Sequence, residues 1–240
     1  MFLRFIKLLA PPIIWDSLKI IKNNYKKYYG LNNLDKKIEK YLNYKNGFFV
    51  ELGANDGISQ SNTFHFERYK NWRGILIEPY PTNYLKCLKS RSRNNHIFCN
   101  ACVSFDYKDR FVELIFSNLM TSSLGLESDI KNFTTHVYLD KKNEYKFKFG
   151  AVATTLNNLL LKSKAPQKID FLSLDVEGAE IEVLKGIDHN TYRFKFMLIE
   201  CRDIDKLENY LELLEYELIE KLTEQDYLFV DKSKKELIKC

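Results

Sequence analysis

Residues Gly47 to Pro81 read GFFVELGANDGISQSNTFHFERYKNWRGILIEPYP. The apolar run Phe48-Phe49-Val50 enters a turn carrying Gly53 and Gly57, helix-like spacing follows, and a second apolar run, Ile75-Leu76-Ile77, ends on the acid Glu78. This is the layout of a nucleotide-binding βαβ unit. Glycines let the backbone approach a ligand without a Cβ in the way, and a carboxylate after the second strand can accept both hydroxyls of a ribose. A sharp strand-to-helix turn with no ligand would use the same two glycines.

The loop departs from the dinucleotide fingerprint. G-x-G-x-x-G wraps backbone N–H groups around a pyrophosphate, whereas Glu51-Leu52-Gly53-Ala54-Asn55-Asp56-Gly57 carries two acids that would repel one. A ligand with a ribose and cationic groups suits the loop better, and S-adenosylmethionine (SAM), with its ammonium and sulfonium, is the common one. On this pattern alone, a Rossmann-like fold that binds something else stays open.

With 240 residues, 45% of them hydrophobic, the chain can bury one substantial core. The expected organisation is a helical arm over residues 1–46 and one domain over 47–240. The net charge of +5 is spread over lysines interleaved with acids, which argues against a nucleic-acid stripe. Cys99 and Cys102 form a C-x-x-C without a second pair, so no zinc module is expected. Their apolar neighbours place them in a strand as small buried thiols, in a reducing, cytoplasmic compartment. The start, MFLRFIKLLAPPIIWDSLKIIKNNYKKYYG, has an apolar run too short to span a bilayer, broken by Pro11-Pro12 and without a small-residue cleavage site. It reads as a basic amphipathic arm that packs on its own domain, on a second subunit in a homodimer, or on the inner face of a membrane.

Downstream, the spacing of Tyr84, Leu85 and Leu88 predicts a helix from Pro81 to Ser92, then a strand through His96 to Val103 and another over Phe111 to Phe116. Asn118 to Ser123 reads as a hydroxyl-rich loop, and Ser128 to Lys148, without a clean period, as an insertion over the site. Thr155 is placed as the cap of a short helix. Ile169 to Leu174 is a buried-type strand ending at Asp175-Val176-Glu177-Gly178, and the helix Ala179 to Lys185 stops at Gly186, suited to a left-handed cap. Phe194 to Ile199 ends at Glu200, a helix covers Asp205 to Leu214, and Tyr216 to Leu222 pairs with Asp226 to Val230 in a hairpin. The prediction is an α/β fold: a doubly wound, mostly parallel seven-stranded sheet whose C-terminal hairpin supplies an antiparallel edge strand.

ELGANDG at Glu51 to Gly57, the acid of LIEPYP, DFLSLDVEGAEIEVLKG at Asp170 to Gly186 and FMLIEC at Phe196 to Cys201 resemble the FkbM family of methyltransferases. Members of that family carry an "idllKiDvEGaE" block and an "iiEv" strand, and the resemblance covers about Gly47 to Asp231. It implies a Rossmann-like enzyme that uses SAM, mostly for O-methylation of sugar hydroxyls in glycans or glycosylated natural products. Carried over by position, Glu51, Gly53, Ala54, Asn55 and Gly57 would hold the methionine part of SAM, and Glu78 the ribose. Asn100 and Ala101 would sit near adenine, and Ser122 and Ser123 match a hydroxyl-bearing loop that contacts substrate. Asn100, Ser122 and Ser123 also suit ordinary turn chemistry. Ser173 stands where the family often has Lys and is expected to point away from the strand end, as a difference in packing.

Methyl transfer to oxygen is an in-line displacement, so the enzyme must align acceptor and methyl and exclude water. A sugar hydroxyl also needs a base within reach, or a cation that lowers its pKa. Asp175 and Glu177 end a central strand and Glu200 ends its neighbour, where ligands of open α/β sheets bind. These acids would raise one another's pKa and create a base, bind the cofactor's ammonium, or hold Mg²⁺ through Asp175 and Glu200. Asp175 is the first choice for catalysis, with Glu177 beside it. His65, on the helix after the glycine turn, is either a further base or a structural histidine. His96, His136 and His189 lack metal-binding spacing. The expected activity is a SAM-dependent O-methyltransferase acting on a sugar or glycan precursor of capsule or lipopolysaccharide type. Methylation of RNA, lipid or protein is the alternative, weakened for RNA because Asp175-Val176-Glu177-Gly178 replaces the N-P-P-[YF] motif that stacks a planar base. A noncatalytic partner domain with this fold is a third reading.

Overall fold

The computed structural model describes residues 27–117, 120–123 and 147–234. The reading of residues 1–26, His136 and most of the insertion over 128–148 lies outside them. In chain order the strands are β1 (Phe48–Leu52), β2 (Arg73–Ile77), β3 (His96–Phe98), β4 (Ala101–Cys102), β5 (Phe111–Ser117), β6 (Met120–Ser123), β7 (Phe147–Thr154), β8 (Lys168–Leu174), β9 (Arg193–Glu200), β10 (Tyr216–Lys221) and β11 (Asp226–Asp231). The helices are α1 (Leu34–Glu39), α2 (Phe64–Lys70), α3 (Pro81–Ser90), α4 (Leu156–Lys162), α5 (Glu180–Leu184) and α6 (Ile204–Leu213). Among the described residues no helix is long and apolar enough to cross a membrane.

Seven strands form one sheet in the order β10-β11-β9-β8-β1-β2-β3, parallel except for β11. β1 and β8 are apolar on both faces because helices cover both. Val50, Leu52, Leu172, Leu174, Met197 and Ile199 pack on α4, α5 and α6 in one buried cluster. Phe49, Leu76, Phe171, Phe196 and Leu228 pack on the other side with α1, α2 and Cys87 of α3. The doubly wound plan therefore holds. The antiparallel strand, however, is β11, inserted between β9 and β10, and the edge belongs to β10. All six residues of β11 are buried, whereas most of β10 is half-buried and includes Glu217, Glu220 and Lys221, which suits an edge.

Several local expectations change. The strand over His96 to Val103 breaks at Cys99-Asn100: β3 extends the main sheet, while β4 joins a second sheet in the order β4-β7-β5-β6. Asn118 to Ser123 is partly strand, with Ser122 opposite Ile115 and Ser123 opposite Leu114. In α3, Asn83 and Cys87 are buried while Leu85 and Leu88 are exposed, so the face that turns inward is not the leucine face. Gly186 does not have positive φ; a Cβ there would overlap the carbonyl oxygen of Val103, and close packing is what selects glycine. The cap at Thr155 forms as expected, its Oγ1 accepting from the Asn158 N–H at 3.2 Å.

The arm assigned to residues 1–46 does not stand apart over its described part. Leu34, Ile38 and Leu42 are buried in the same cluster as Phe49, Phe171 and Phe196, and Gly30 bridges to Gln60. Residues 27–46 are thus part of the domain. Their apolar side chains recur four residues apart and need the sheet to cover them.

Candidate active site

The strand order reverses between β1 and β8, where the outgoing loops part and leave a crevice. Gly53, Asn55, Glu78, Asn83, Asn100, Ala101, Asp175 and Glu177 line it, and Val112 and Leu114 of β5 give it an apolar wall. Gly53 has φ +78°, and a Cβ would overlap the Asp175 carbonyl oxygen, so the two loops touch as only glycine allows. The Gly53 and Ala54 N–H groups both donate to the Ile77 carbonyl at 3.1 Å, which pins the turn to the end of β2.

Glu78 sits 5% exposed at that end. One of its oxygens accepts the Asn55 N–H at 2.8 Å and the other the Tyr80 N–H at 2.9 Å. Burial pushes its carboxyl up to about 7 against the pull of those two bonds, with the Asp56 charge adding to the rise. Asp175 is exposed to the crevice yet enclosed by protein on most sides. That enclosure, then Glu200 and Glu177, push it well above the usual carboxylate range. Glu177, in a left-handed conformation with φ 57°, is pushed up to about 7 by burial and by Glu200, opposed by Arg202, whose Nη2 lies 3.0 Å away. Glu200 is raised by burial and by Asp226.

Five of the eight predicted cofactor residues therefore line the crevice: Gly53, Asn55, Glu78, Asn100 and Ala101. Ala54 is instead packed in the core. Gly57 lies on α3, where a Cβ would come within 2.6 Å of Ser90 Oγ and 2.8 Å of Arg91 Cγ. Glu51 turns the opposite way from the crevice, onto Ser61, Asn62, Thr63 and Arg91. Ser173 shares its face, since Glu51 and Ser173 are paired across β1 and β8, and Ser173 Oγ accepts from Asn62 Nδ2 at 3.1 Å. This packing role matches the expectation for Ser173.

His65 is not in the crevice. It is fully buried, its Nδ1 donates to the Lys27 carbonyl at 2.9 Å, its Nε2 is 3.2 Å from Glu39, and Tyr28 stacks on its ring at 4.7 Å. The ring holds the segment before α1 against α2. Mg²⁺ finds no support either: among the described residues no group of three His, Cys, Asp or Glu side chains could hold a metal ion. The sequence reading missed Asn83, Val112 and Leu114. The signal for Asn83 was a polar side chain one helical turn before Cys87, hidden by the more conspicuous leucines on the outer face.

Solved structures with similarity to the chain include a methyltransferase from Geobacter sulfurreducens, 11% identical over 95% of this chain and 93% of that one, with a TM-score of 0.40. The precorrin-6y C5,15-methyltransferase of Geobacter metallireducens is 10% identical, covering 81% and 85%, with a TM-score of 0.38. The fibrillarin pre-rRNA processing protein of Methanococcus jannaschii is 11% identical, covering 79% and 68%, with a TM-score of 0.39. No curated protein matches the chain. Residues 51–229, from Glu51 in β1 into β11, match the methyltransferase FkbM domain, and the chain belongs to that family of SAM-dependent methyltransferases.

Proposed function

We propose that the chain is an O-methyltransferase whose acceptor is a sugar hydroxyl in a glycan or glycan precursor, acting in the cytoplasm. The observation that carries this reading is a crevice lined by three carboxylates, Glu78, Asp175 and Glu177, all pushed above the usual carboxylate range by enclosure. Such a site favours ligands that bring hydroxyl donors and positive charge. Each oxygen of Glu78 already accepts one N–H and retains room for one more donor, which fits the two hydroxyls of a ribose. Gly53, Asn55 and Asp175 would hold the methionine part, and Asn83, Asn100 and Ala101 the base. SAM, when bound, supplies an electrophilic methyl group.

The residues of the chain then have separable tasks. Glu177, at about 7, is matched to accept a hydroxyl proton near neutral pH. Asp175, enclosed and beside the acids Glu200 and Glu177, is suited to a cationic ligand, which gives it the cofactor side and passes the base role to Glu177. Val112 and Leu114 exclude water from one wall.

The test is transfer of labelled methyl groups from SAM to a panel of nucleotide sugars and lipid-linked glycans, with bulk RNA, protein and lipid as comparison acceptors. Label in the sugar fraction, lost in Glu177→Gln, supports the proposal. Label in RNA or protein alone contradicts it.

A further inference from the structure

The segment from Gly57 to Thr63, which carries the cofactor turn into α2, hangs from one buried ion pair. Glu51 accepts from Ser61 Oγ at 2.9 Å, from the Asn62 N–H at 3.0 Å and from Thr63 Oγ1 at 2.6 Å. Arg91 Nη1 lies 3.3 Å from Glu51 and donates to the Gly57 carbonyl at 3.0 Å and to Ser61 Oγ at 3.2 Å. Its Nη2 donates to Thr63 Oγ1 at 2.9 Å. The two side chains are 4% and 0% exposed, and the rings of Phe49 and Phe64 flank the guanidinium at 5.2 and 5.4 Å. Every acceptor site on Glu51 that faces protein is in use, and none faces the crevice.

A buried pair of this kind contributes little net stability compared with apolar residues of the same volume. What it does contribute is a single backbone arrangement for a stretch rich in hydroxyls. That arrangement matters because the same loop begins as a wall of the crevice: Gly53 and Asn55 line it, and the Asn55 N–H orients Glu78. Asp56, between the two halves, is tied to α3 by Ser90 Oγ donating to its carbonyl at 2.6 Å, one residue before Arg91.

We infer that Glu51 and Arg91 are positioning residues for SAM: without touching it, their ion pair fixes Gly57 to Thr63 so that Gly53 and Asn55 are preset around the cofactor. This inference rests on the crevice being the SAM site. Glu67 provides an internal control. It accepts from Arg91 Nε at 2.6 Å, but its other partners, the Ser92 N–H and Asn95 Nδ2, lie outside the loop.

The experiment is calorimetric titration of SAM, with thermal unfolding in parallel, on the wild type, Glu51→Gln, Thr63→Val and Glu67→Gln. Thr63→Val removes one hydroxyl and no charge, and its unfolding transition shows whether it is folded independently of the charge variant. Glu51→Gln and Thr63→Val are expected to weaken SAM by about tenfold or more, while Glu67→Gln lowers the melting temperature and leaves affinity within about twofold. Three results overturn the inference: wild-type affinity in Thr63→Val, loss in Glu51→Gln alone, which would mean direct contact, or equal loss in Glu67→Gln, which would mean general destabilisation. A folded wild type that binds no SAM overturns the reading of the crevice as well, and so is told apart from failure of the inference alone.

Discussion

Glu39 and Glu177 are both largely shielded glutamates, yet the first is held at about 2 and the second is pushed up to about 7. Burial alone would raise Glu39. Tyr28 Oη at 2.6 Å, Lys70 Nζ at 3.0 Å and His65 Nε2 at 3.2 Å overcome it and hold the charge. Glu51 is likewise answered from within the chain, by Arg91. In the crevice, Glu177 has Arg202 against burial and Glu200, and the charges that act most on Asp175 are those of the acids Glu200, Glu177 and Glu180. Where the chain supplies donors and cations, an acid is an anchor; where it withholds them, stability is given up for something that arrives later.

The largest effect should come from removing an anchor's partner. Arg91→Met leaves Glu51 buried and uncompensated, and is expected to cost about 3–5 kcal/mol in urea unfolding. A loss under about 1 kcal/mol would erase the distinction between the two groups of acids.

Next is Glu177→Gln, expected to lower turnover about a hundredfold while SAM affinity stays within a few-fold. The same variant sharpens the comparison through pH. Because the folded protein holds the Glu177 proton more tightly than the unfolded chain, its contribution is fully present below the ordinary value of 4.5 and is lost as pH rises through about 7. The wild-type melting temperature should therefore fall across that window, and Glu177→Gln should flatten the fall. An unchanged slope would place the proton elsewhere.

Glu78→Ala removes the acceptor for two ribose hydroxyls, and about 1–3 kcal/mol of SAM binding should go with it, tenfold or more in affinity by calorimetry. Smallest of all is the effect of His65→Gln on the crevice. It should lower stability by about 1–2 kcal/mol through the lost contacts to Lys27 and Glu39, and leave SAM affinity within about twofold. Collapse of activity in a folded His65→Gln would return this residue to the catalytic set.

The sheet was legible because β1, β2, β8 and β9 are apolar runs with turn or strand-end signals at fixed places, and these strands build the crevice. Leu34, Ile38 and Leu42 were not read as core because lysines and acids separate them and only the sheet reveals what they cover. β7 hid for a similar reason: Phe147, Phe149 and Ala151 alternate, but lysine and glycine between them weaken the pattern. For α3 the periodicity gave a helix and the wrong face, since Asn83 and Cys87, not the leucines, turn inward. At the site, the strand-end acids Glu51 and Glu78 look alike in sequence. One meets an arginine forty residues on and the other meets the crevice, a difference that only the paired geometry of β1, β2 and α3 fixes.

The most direct test of the contrast between answered and unanswered acids is calorimetric titration of the wild type with SAM at about pH 6 and about pH 8, each in two buffers of different ionisation enthalpy. Ribose hydroxyls and a cationic ligand favour the ionised carboxylates, so protons held by the cofactor-side acids Glu78 and Asp175 leave as SAM binds. The expected result is tighter binding at the higher pH, with protons released in the lower-pH titration. Affinity that is flat across this range with no proton release, or tighter at the lower pH, would contradict the account.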